Sequence, residues 1–285
     1  MSRNDAKELD RASFCWHQII VNLRAAQKVV IEAAKAAGAL MRKNLNAEKK
    51  ANEITSHDIK LELDVRCQKL IENKLHAAFP EVALLGEEGD AGDEAAEYRW
   101  VVDPIDGTVN FAYGIPHACV SIALQRRATK KSALVYADGY ETQIGVVYDP
   151  FCDELWTARR GEPARLNGKA VRVSRRAKLN EAIISMGFAK NRETLEAMLP
   201  YFVELVQRVR KMRIMGAAAL ALTYVATGRF DAYIERGIRI WDIAAGGLIL
   251  QCAGGDFWQE PAGPDHTYRM VASNGLLRRR LRVPD

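Results

Sequence analysis

Two carboxylates, Asp103 and Asp106, bracket a proline in the stretch Trp100 to Phe111, and Gly107 and Thr108 follow at once. The residues just before them, Trp100 to Val102, form a short apolar run of the kind that makes a buried strand. Pro104 fixes its own φ and pushes Asp103 towards an extended conformation. Gly107 can take backbone angles closed to other residues and lets another group approach the main chain. The stretch therefore reads as a strand end that delivers two acids to one point, with backbone amides just beyond. Acids beside a row of N–H groups suit metal ions and a phosphate. The same residues also fit a strand followed by an Asp-Gly turn, so the rest of the chain has to decide.

Two more acidic places stand out. Gly86-Glu87-Glu88-Gly89 sets two acids between glycines, which also suits an exposed turn. Asp242 follows the strand-like stretch Gly237 to Trp241 and stands immediately before an apolar helix from Ile243, where an Asp has an ordinary role as N-cap. The five cysteines (Cys15, Cys67, Cys119, Cys152, Cys252) are scattered without a Cys-x-x-Cys, and the five histidines (His17, His57, His76, His117, His266) are not at metal-ligand spacing. That pattern argues against a disulfide framework and against zinc, and it fits a reducing, cytoplasmic setting.

The elements that must position these acids follow from periodicity. Apolar residues at Ile19, Leu23, Ala26, Val30, Ala33, Ala37 and Met41 mark a long amphipathic helix. Lys43 to Ser56 is polar and reads as loop. Leu61, Leu63 and Val65 alternate with Glu62 and Asp64, and a second helix runs through Cys67, Leu70, Ile71, Leu75 and Ala78 to Phe79-Pro80. Strands are expected at Glu81 to Leu85, Ala118 to Gln125, Gln143 to Tyr148 and Glu154 to Ala158, with a hairpin signal at Asp138-Gly139. The Gly161 to Gly168 region reads as a junction, giving an N-terminal part, residues 1–165, and a C-terminal part, residues 166–285. In the second part strands at Ala182 to Ser185, Arg213 to Met215, Phe230 to Ile234, Phe257 to Trp258 and Met270 to Ala272 alternate with helices at Thr194 to Val209, Ala217 to Ala226, Ile243 to Cys252 and Leu276 to Leu281. Such alternation argues for α/β architecture, a sheet covered by helices.

Composition bounds the function. The chain has 285 residues, 48% hydrophobic and 27% charged, an ordinary globular balance. No run approaches the length of a membrane span, and Met1 to Arg11 lacks an apolar signal core. A net charge of +5 and a pI near 8.9 favour anionic substrates. They permit nucleic-acid binding, which no motif indicates.

Taken together, Gly86-Glu87-Glu88, Asp103-Pro104-Ile105-Asp106-Gly107-Thr108 and Trp241-Asp242 before a Gly-rich helix resemble the inositol monophosphatase family, over nearly the whole chain from about Ile19. That resemblance implies an αβαβα sandwich shared with fructose-1,6-bisphosphatase, a homodimer, and a magnesium-dependent, lithium-sensitive hydrolase with two to three Mg²⁺ per site. It implies that Glu87, Asp103 and the Ile105 carbonyl hold a first Mg²⁺, that Asp103, Asp106 and Asp242 hold a second, and that a weaker third is shared with Glu87, with Asp64 nearby. It further implies that Glu87 and Thr108 position a metal-activated water, and that the Gly107 and Thr108 amides hold phosphate oxygens. Gly216, Ala217, Ala218, Glu235 and Asp106 would contact the alcohol. The all-oxygen ligand set agrees with a hard cation. The implied activity is hydrolysis of a small polyol or sugar phosphate, with myo-inositol 1-phosphate first. Fructose-1,6-bisphosphatase, histidinol-phosphatase and nucleotide 3′-phosphatase are alternatives on the same frame. An RNA- or polymerase-binding protein on the phosphatase fold is an alternative of another class. Three departures bear on substrate: Ala217 stands where the family usually has Thr or Ser, Lys60 to Leu63 lacks a threonine-containing run, and Arg126 to Gly145 is longer than the usual hairpin.

Overall fold

The structure is a computed structural model that describes residues 21–48, 50–54, 59–130, 135–189 and 191–284. Cys15, His17, Ile19, His57, Lys131, Ala133 and the Met1 to Arg11 segment lie outside these residues. Helix α1 (Leu23–Asn44) buries Ala26, Val30, Ala33, Ala37 and Met41, the stripe expected from its periodicity. Its first turn is set by Asn22, which is extended and accepts from the Arg24 and Ala25 amides at 3.1 Å. The polar run after it is not all loop. It contains β1 (Ala51–Ile54), paired antiparallel with β2 (Ile59–Leu61) in a small ribbon. Helix α2 (Glu62–Ala78) already starts at Glu62, so Leu63 to Val65 lie in its first turn rather than ahead of it.

A seven-stranded mixed sheet follows. Its strands are β3 (Ala83–Gly86), β4 (Tyr98–Asp106), β5 (Cys119–Arg127), β6 (Tyr140–Asp149), β7 (Glu154–Arg159), β8 (Arg165–Leu166) and β9 (Lys169–Ala170), side by side in that order, with the short helix α3 (Thr108–Ala112) between β4 and β5. Only the β3–β4 pair is parallel. Residues of the second part form β10 (Ile183–Phe188), α4 (Arg192–Arg208), β11 (Lys211–Arg213), α5 (Ala218–Ala226), β12 (Ala232–Arg239), α6 (Ile240–Cys252), β13 (Asp256–Pro261) and β14 (Thr267–Ser273). Their five-stranded mixed sheet has the order β11-β10-β12-β14-β13.

Three apolar cores join five layers. Period-2 alternation sends Trp100 and Val102 to one face of the large sheet and Val101 to the other. The first face packs on α1 and α2 through Val30, Ala37, Ile71 and Ile122. The second packs on α5 and α6, which also cover the small sheet, through Val147, Leu222, Ala245, Ile249, Tyr233 and Met270. The far face of the small sheet carries α4 over Ile184, Ile234 and Val271. The layers read α-β-α-β-α, the expected sandwich. No helix among the described residues is long and apolar enough to cross a membrane. Cys67, Cys119, Cys152 and Cys252 are free thiols.

Some expected boundaries move. The strand placed at Arg213 to Met215 lies at Lys211–Arg213 instead, leaving Ile214 on the surface. Strand β12 runs on to Arg239 and absorbs much of the stretch ahead of Trp241. The helix expected at Leu276 to Leu281 is only a 3₁₀ turn at Arg278–Arg280. The Asn274 side chain takes the Leu277 amide at 3.2 Å, a capping bond of the kind that starts a helix, yet only one short turn follows it.

Gly145 lets α6 lie close on β6: a Cβ there would sit 2.5 Å from the Ala245 carbonyl oxygen, a main-chain atom that cannot swing aside. Gly145→Ala is expected to cost about 1–3 kcal/mol, read as a Tm several degrees lower in a thermal melt. An unchanged Tm would show that α6 is free to shift at that point.

Candidate metal centre

Asp103 and Asp106 are three apart, and in a regular strand they would face opposite sides of the sheet. They do not, because β4 is irregular between them: Asp103 pairs with Ser121 and Asp106 with Cys119, so three steps on β4 match two on β5. Pro104, which has no amide to give to a ladder, sits in this bulge. Asp103 also turns the chain locally, its Oδ1 accepting from the Ile105 amide at 3.0 Å. The Ile105 carbonyl in turn accepts from the Thr108 hydroxyl at 2.9 Å. Gly107 follows with φ 91°, and a Cβ on it would lie 3.0 to 3.2 Å from the His117 and Gly216 carbonyls and the Ala217 side chain.

Asp242 reaches the same point from the far half of the chain. It is not the residue before α6 but the third residue inside it, with Oδ2 accepting from the Arg239 amide at 2.9 Å. One carboxylate oxygen each of Asp103, Asp106 and Asp242 lies within 4.8 Å of the others. Glu87, on the turn after β3, lies beside Asp103, and each carboxyl affects the other's titration. Asp64, buried on the first turn of α2, caps that helix through the Leu61 amide at 2.7 Å and adds its charge to the field at Glu87.

Asp106 is the most tightly held of the set. Its two oxygens accept from the Ala218 and Ala219 amides at 2.9 and 2.8 Å, and the Cys119 thiol lies 3.4 Å from Oδ2. The start of α5 is thereby locked onto the end of β4. A cavity of about 300 Å³ opens beside Asp106 and Asp242, and Gly216, Ala217, Ala218 and Glu235 are in its wall. Glu235 lies flat over Gly187, where no Cβ would fit, and accepts from the Tyr233 hydroxyl. The sequence-based assignments thus fall into one region, although the cavity wall itself does not include Gly107 or Thr108.

Two residues to which the sequence reading gave no tethering role tie this region together. Asn110 Nδ2 donates to the carbonyls of His117, Met215 and Gly216 at 2.8 to 3.2 Å, joining the loops after α3 and before α5. Ser121, beside Asp103 on β5, donates to the Trp241 carbonyl at 3.0 Å and fixes the start of α6. The Asn110 bonds to Met215 and Gly216 and the Ser121 bond to Trp241 each span more than a hundred residues in sequence, so no local pattern announces them.

The crowding has a clear electrostatic cost. Burial first, then the charges of Asp242, Glu88 and Asp64, push Glu87 well above the usual carboxyl range. Burial and then Glu87, Asp106 and Asp242 do the same to Asp103. Burial raises Asp106 to about 6 against the pull of the Ala218 amide. Burial and then Asp106 raise Asp242 to about 7. Burial, Asp242 and Asp106 also raise Glu235 well above its ordinary value. Among the described residues no lysine or arginine pairs with Glu87, Asp103, Asp106 or Asp242. Buried carboxylates without a counter-charge must take up protons or cations. An all-oxygen set of this kind fits hard divalent ions and gives zinc no nitrogen or sulfur ligand.

Comparison with known proteins agrees. The model described as the inositol monophosphatase family matches residues 22–268. The chain belongs to that family. The protein named Nus factor SuhB from Xylella fastidiosa is 37% identical over 235 residues, covering 81% of each chain. Inositol monophosphatase 1 from Solanum lycopersicum is 35% identical over 260 residues, covering 88% of this chain and 90% of that one. The crystal structure of extragenic suppressor protein suhB from Bartonella henselae superposes with a TM-score of 0.80 at 33% identity, covering 90% of this chain and 96% of that chain. Relatives named as inositol monophosphatases and relatives named as SuhB therefore stand at similar identity.

The raised acids set a pH dependence. Unfolded carboxyls titrate near 4, so between about pH 4 and 7 the folded, cation-free chain binds more protons than the unfolded one. These groups therefore make it lose stability as pH rises through that window. Bound Mg²⁺ offsets the loss, so the Tm gain from Mg²⁺ is expected to be larger at pH 8 than at pH 5.5. A gain independent of pH, measured by thermal melts with and without chelator, would contradict the reading.

Proposed function

We propose that the chain is a Mg²⁺-dependent phosphomonoesterase of a small polyol or sugar phosphate, with myo-inositol 1-phosphate as first candidate. The observation that carries this is the convergence of Asp103, Asp106 and Asp242, with Glu87 beside Asp103, next to a cavity walled by Glu235. In this reading Glu87, Asp103 and the Ile105 carbonyl hold one Mg²⁺, and Asp103, Asp106 and Asp242 hold another. A third, weaker ion is shared with Glu87, and Asp64 stands near it. Bound Mg²⁺ supplies positive charge to the phosphate oxygens and acidity to a water molecule.

The remaining work falls to the chain itself. The Thr108 hydroxyl gives its proton to the Ile105 carbonyl, so its oxygen is left to accept from the attacking water. Glu87 is the second acceptor and would take a proton from that water as its oxygen bonds to phosphorus and the P–O bond to the alcohol breaks, the departing oxygen being protonated from solvent. The Gly107 and Thr108 amides receive phosphate oxygens. On the alcohol side, Glu235 accepts from a hydroxyl, while the backbone of Gly216 to Ala218 shapes the wall. Ala217 offers no side-chain hydroxyl, so orientation of the alcohol rests more heavily on Glu235 and Asp106 than in relatives with Thr or Ser there.

A second reading is favoured by the relatives named as Nus factor SuhB: binding to RNA or to RNA polymerase, alone or beside hydrolysis. The net charge of +5 supports it. A phosphate-release screen separates the readings. It compares myo-inositol 1-phosphate, fructose 1,6-bisphosphate, histidinol phosphate and a nucleoside 3′-phosphate by kcat/KM, with Mg²⁺, with Mg²⁺ plus Li⁺ and with chelator. Mg²⁺-dependent, Li⁺-inhibited turnover of the inositol ester is expected. Asp103→Asn is expected to lower kcat at least a hundredfold while the melt stays cooperative. Wild-type turnover by Asp103→Asn would refute the metal assignment, and a salt-dependent RNA shift without any phosphate release would favour the binding role.

A further inference from the structure

Glu87 is the member of the acid cluster carried on a turn rather than in a strand or helix, and three neighbouring acids repel it. Something has to hold the turn in. Gly86 to Gly89 closes on itself through the Gly89 amide and the Gly86 carbonyl at 3.3 Å, with Glu87 and Glu88 at its corner. The Glu87 amide is tied to the Val102 carbonyl, next to Asp103, at 3.1 Å. The Asp90 side chain takes the Gly86 amide at 3.1 Å. These bonds hold the entry and the strand side of the turn, not its outer half.

Gln68 holds the outer half. It lies one helical turn after Asp64 on the inward face of α2, and both side chains are buried. Its Oε1 accepts from the Glu88 amide at 3.0 Å and its Nε2 donates to the Gly89 carbonyl at 2.8 Å. A main-chain amide can only donate and a carbonyl can only accept, so these partners fix which way the Gln68 amide faces. Gly86 is shaped around the same side chain. A Cβ on Gly86 would lie 2.6 Å from Cδ and Nε2 of Gln68, and its nearest neighbours are all Gln68 atoms. Gly86 does not adopt a positive φ, so what excludes a larger residue is the contact and not the backbone conformation.

We infer that Gln68 is a positioning residue for divalent-cation binding, which clamps the Gly86–Gly89 turn so that Glu87 stays at Asp103. The inference rests on the metal reading proposed above. Helix α2 then serves the site twice, with Asp64 adding charge near Glu87 and Gln68 gripping the backbone that carries Glu87. Without the clamp, repulsion from Asp242 and Asp64, which lie off the turn, drives it outward, and the first cation loses a ligand. Supporting groups of this kind commonly change metal affinity by about 10- to 100-fold.

The test is calorimetric titration of Mg²⁺ into substrate-free protein, with thermal melts alongside. Gln68→Met keeps the length of the side chain and removes both hydrogen bonds. It is expected to weaken Mg²⁺ binding at least about tenfold, and to raise the Mg²⁺ needed for half-maximal turnover while the substrate KM at saturating Mg²⁺ stays within about twofold. Gly86→Ala, which pushes Gln68 away, is expected to weaken binding similarly. In a Gln68→Ala background Gly86→Ala should add little, since the clashing side chain is gone. Wild-type Mg²⁺ affinity in both Gln68→Met and Gly86→Ala would overturn the inference. If Gln68→Met does not fold, independent, additive effects of Gly86→Ala in the two backgrounds would overturn it instead. A wild-type protein that binds no Mg²⁺ would refute the metal reading itself, a separate failure.

Discussion

The structure is organised around a repulsion. At least four carboxylates are held at one largely buried place, and among the described residues no basic side chain forms an ion pair with them, although the charge of Arg239 favours ionised Asp242. No fold assembles such a group by hydrophobic packing alone, since each ionised acid disfavours the next. The chain holds them with main-chain amides: those of Ala218 and Ala219 on Asp106, of Arg239 on Asp242 and of Ile105 on Asp103. Amides aimed at a carboxylate stabilise its charged form. Two of these donor sets belong to the first turns of α5 and α6, whose dipoles also favour negative charge. The middle helical layer is therefore both the packing between two sheets and the electrostatic support of the acids.

That arrangement explains why the site spans the chain. The end of β4 supplies two acids, α6 supplies a third, and the start of α5 is hydrogen-bonded to Asp106. Small residues let these pieces approach: Gly107 under Gly216 and Ala217, and Gly145 under Ala245. Asn110 and Ser121 then tie the loops and helix starts to the large sheet. Displacement of α6 on the sheet would be felt at Asp242, because Ser121 and Gly145 fix that helix at two separate points.

Much of this was legible in the sequence, for physical reasons. An apolar run ending in Asp-Pro-Ile-Asp-Gly marks a buried strand that finishes in acids, alternating periodicities point to a sheet covered by helices, and the five layers follow only from the family resemblance. The bulge at Pro104 was not legible. The spacing of Asp103 and Asp106 alone would place them on opposite faces, and only the pairing with β5 shows that they share one. Leu276 to Leu281 resembles a helix in its apolar and basic pattern, yet only the 3₁₀ turn Arg278–Arg280 forms and the chain is extended again at Leu281. Polar β1 looked like loop because a two-stranded ribbon need not bury a face. Asp242 was placed before its helix instead of inside it, since an Asp near a helix start satisfies amides from either position. Asn110 and Ser121 act across the fold, where sequence spacing carries no information.

The central claim is that these acids are a binding site for divalent cations and not a chance crowding of side chains. A crystal equilibrated with Mn²⁺ in place of Mg²⁺ and measured at the manganese absorption edge tests it most directly. The account predicts anomalous peaks within about 2.0–2.4 Å of carboxylate oxygens, one contacting Asp103 and Glu87 and another contacting Asp103, Asp106 and Asp242. Saturating Mn²⁺ with no anomalous peak at these residues, or with peaks only elsewhere on the molecule, would contradict it.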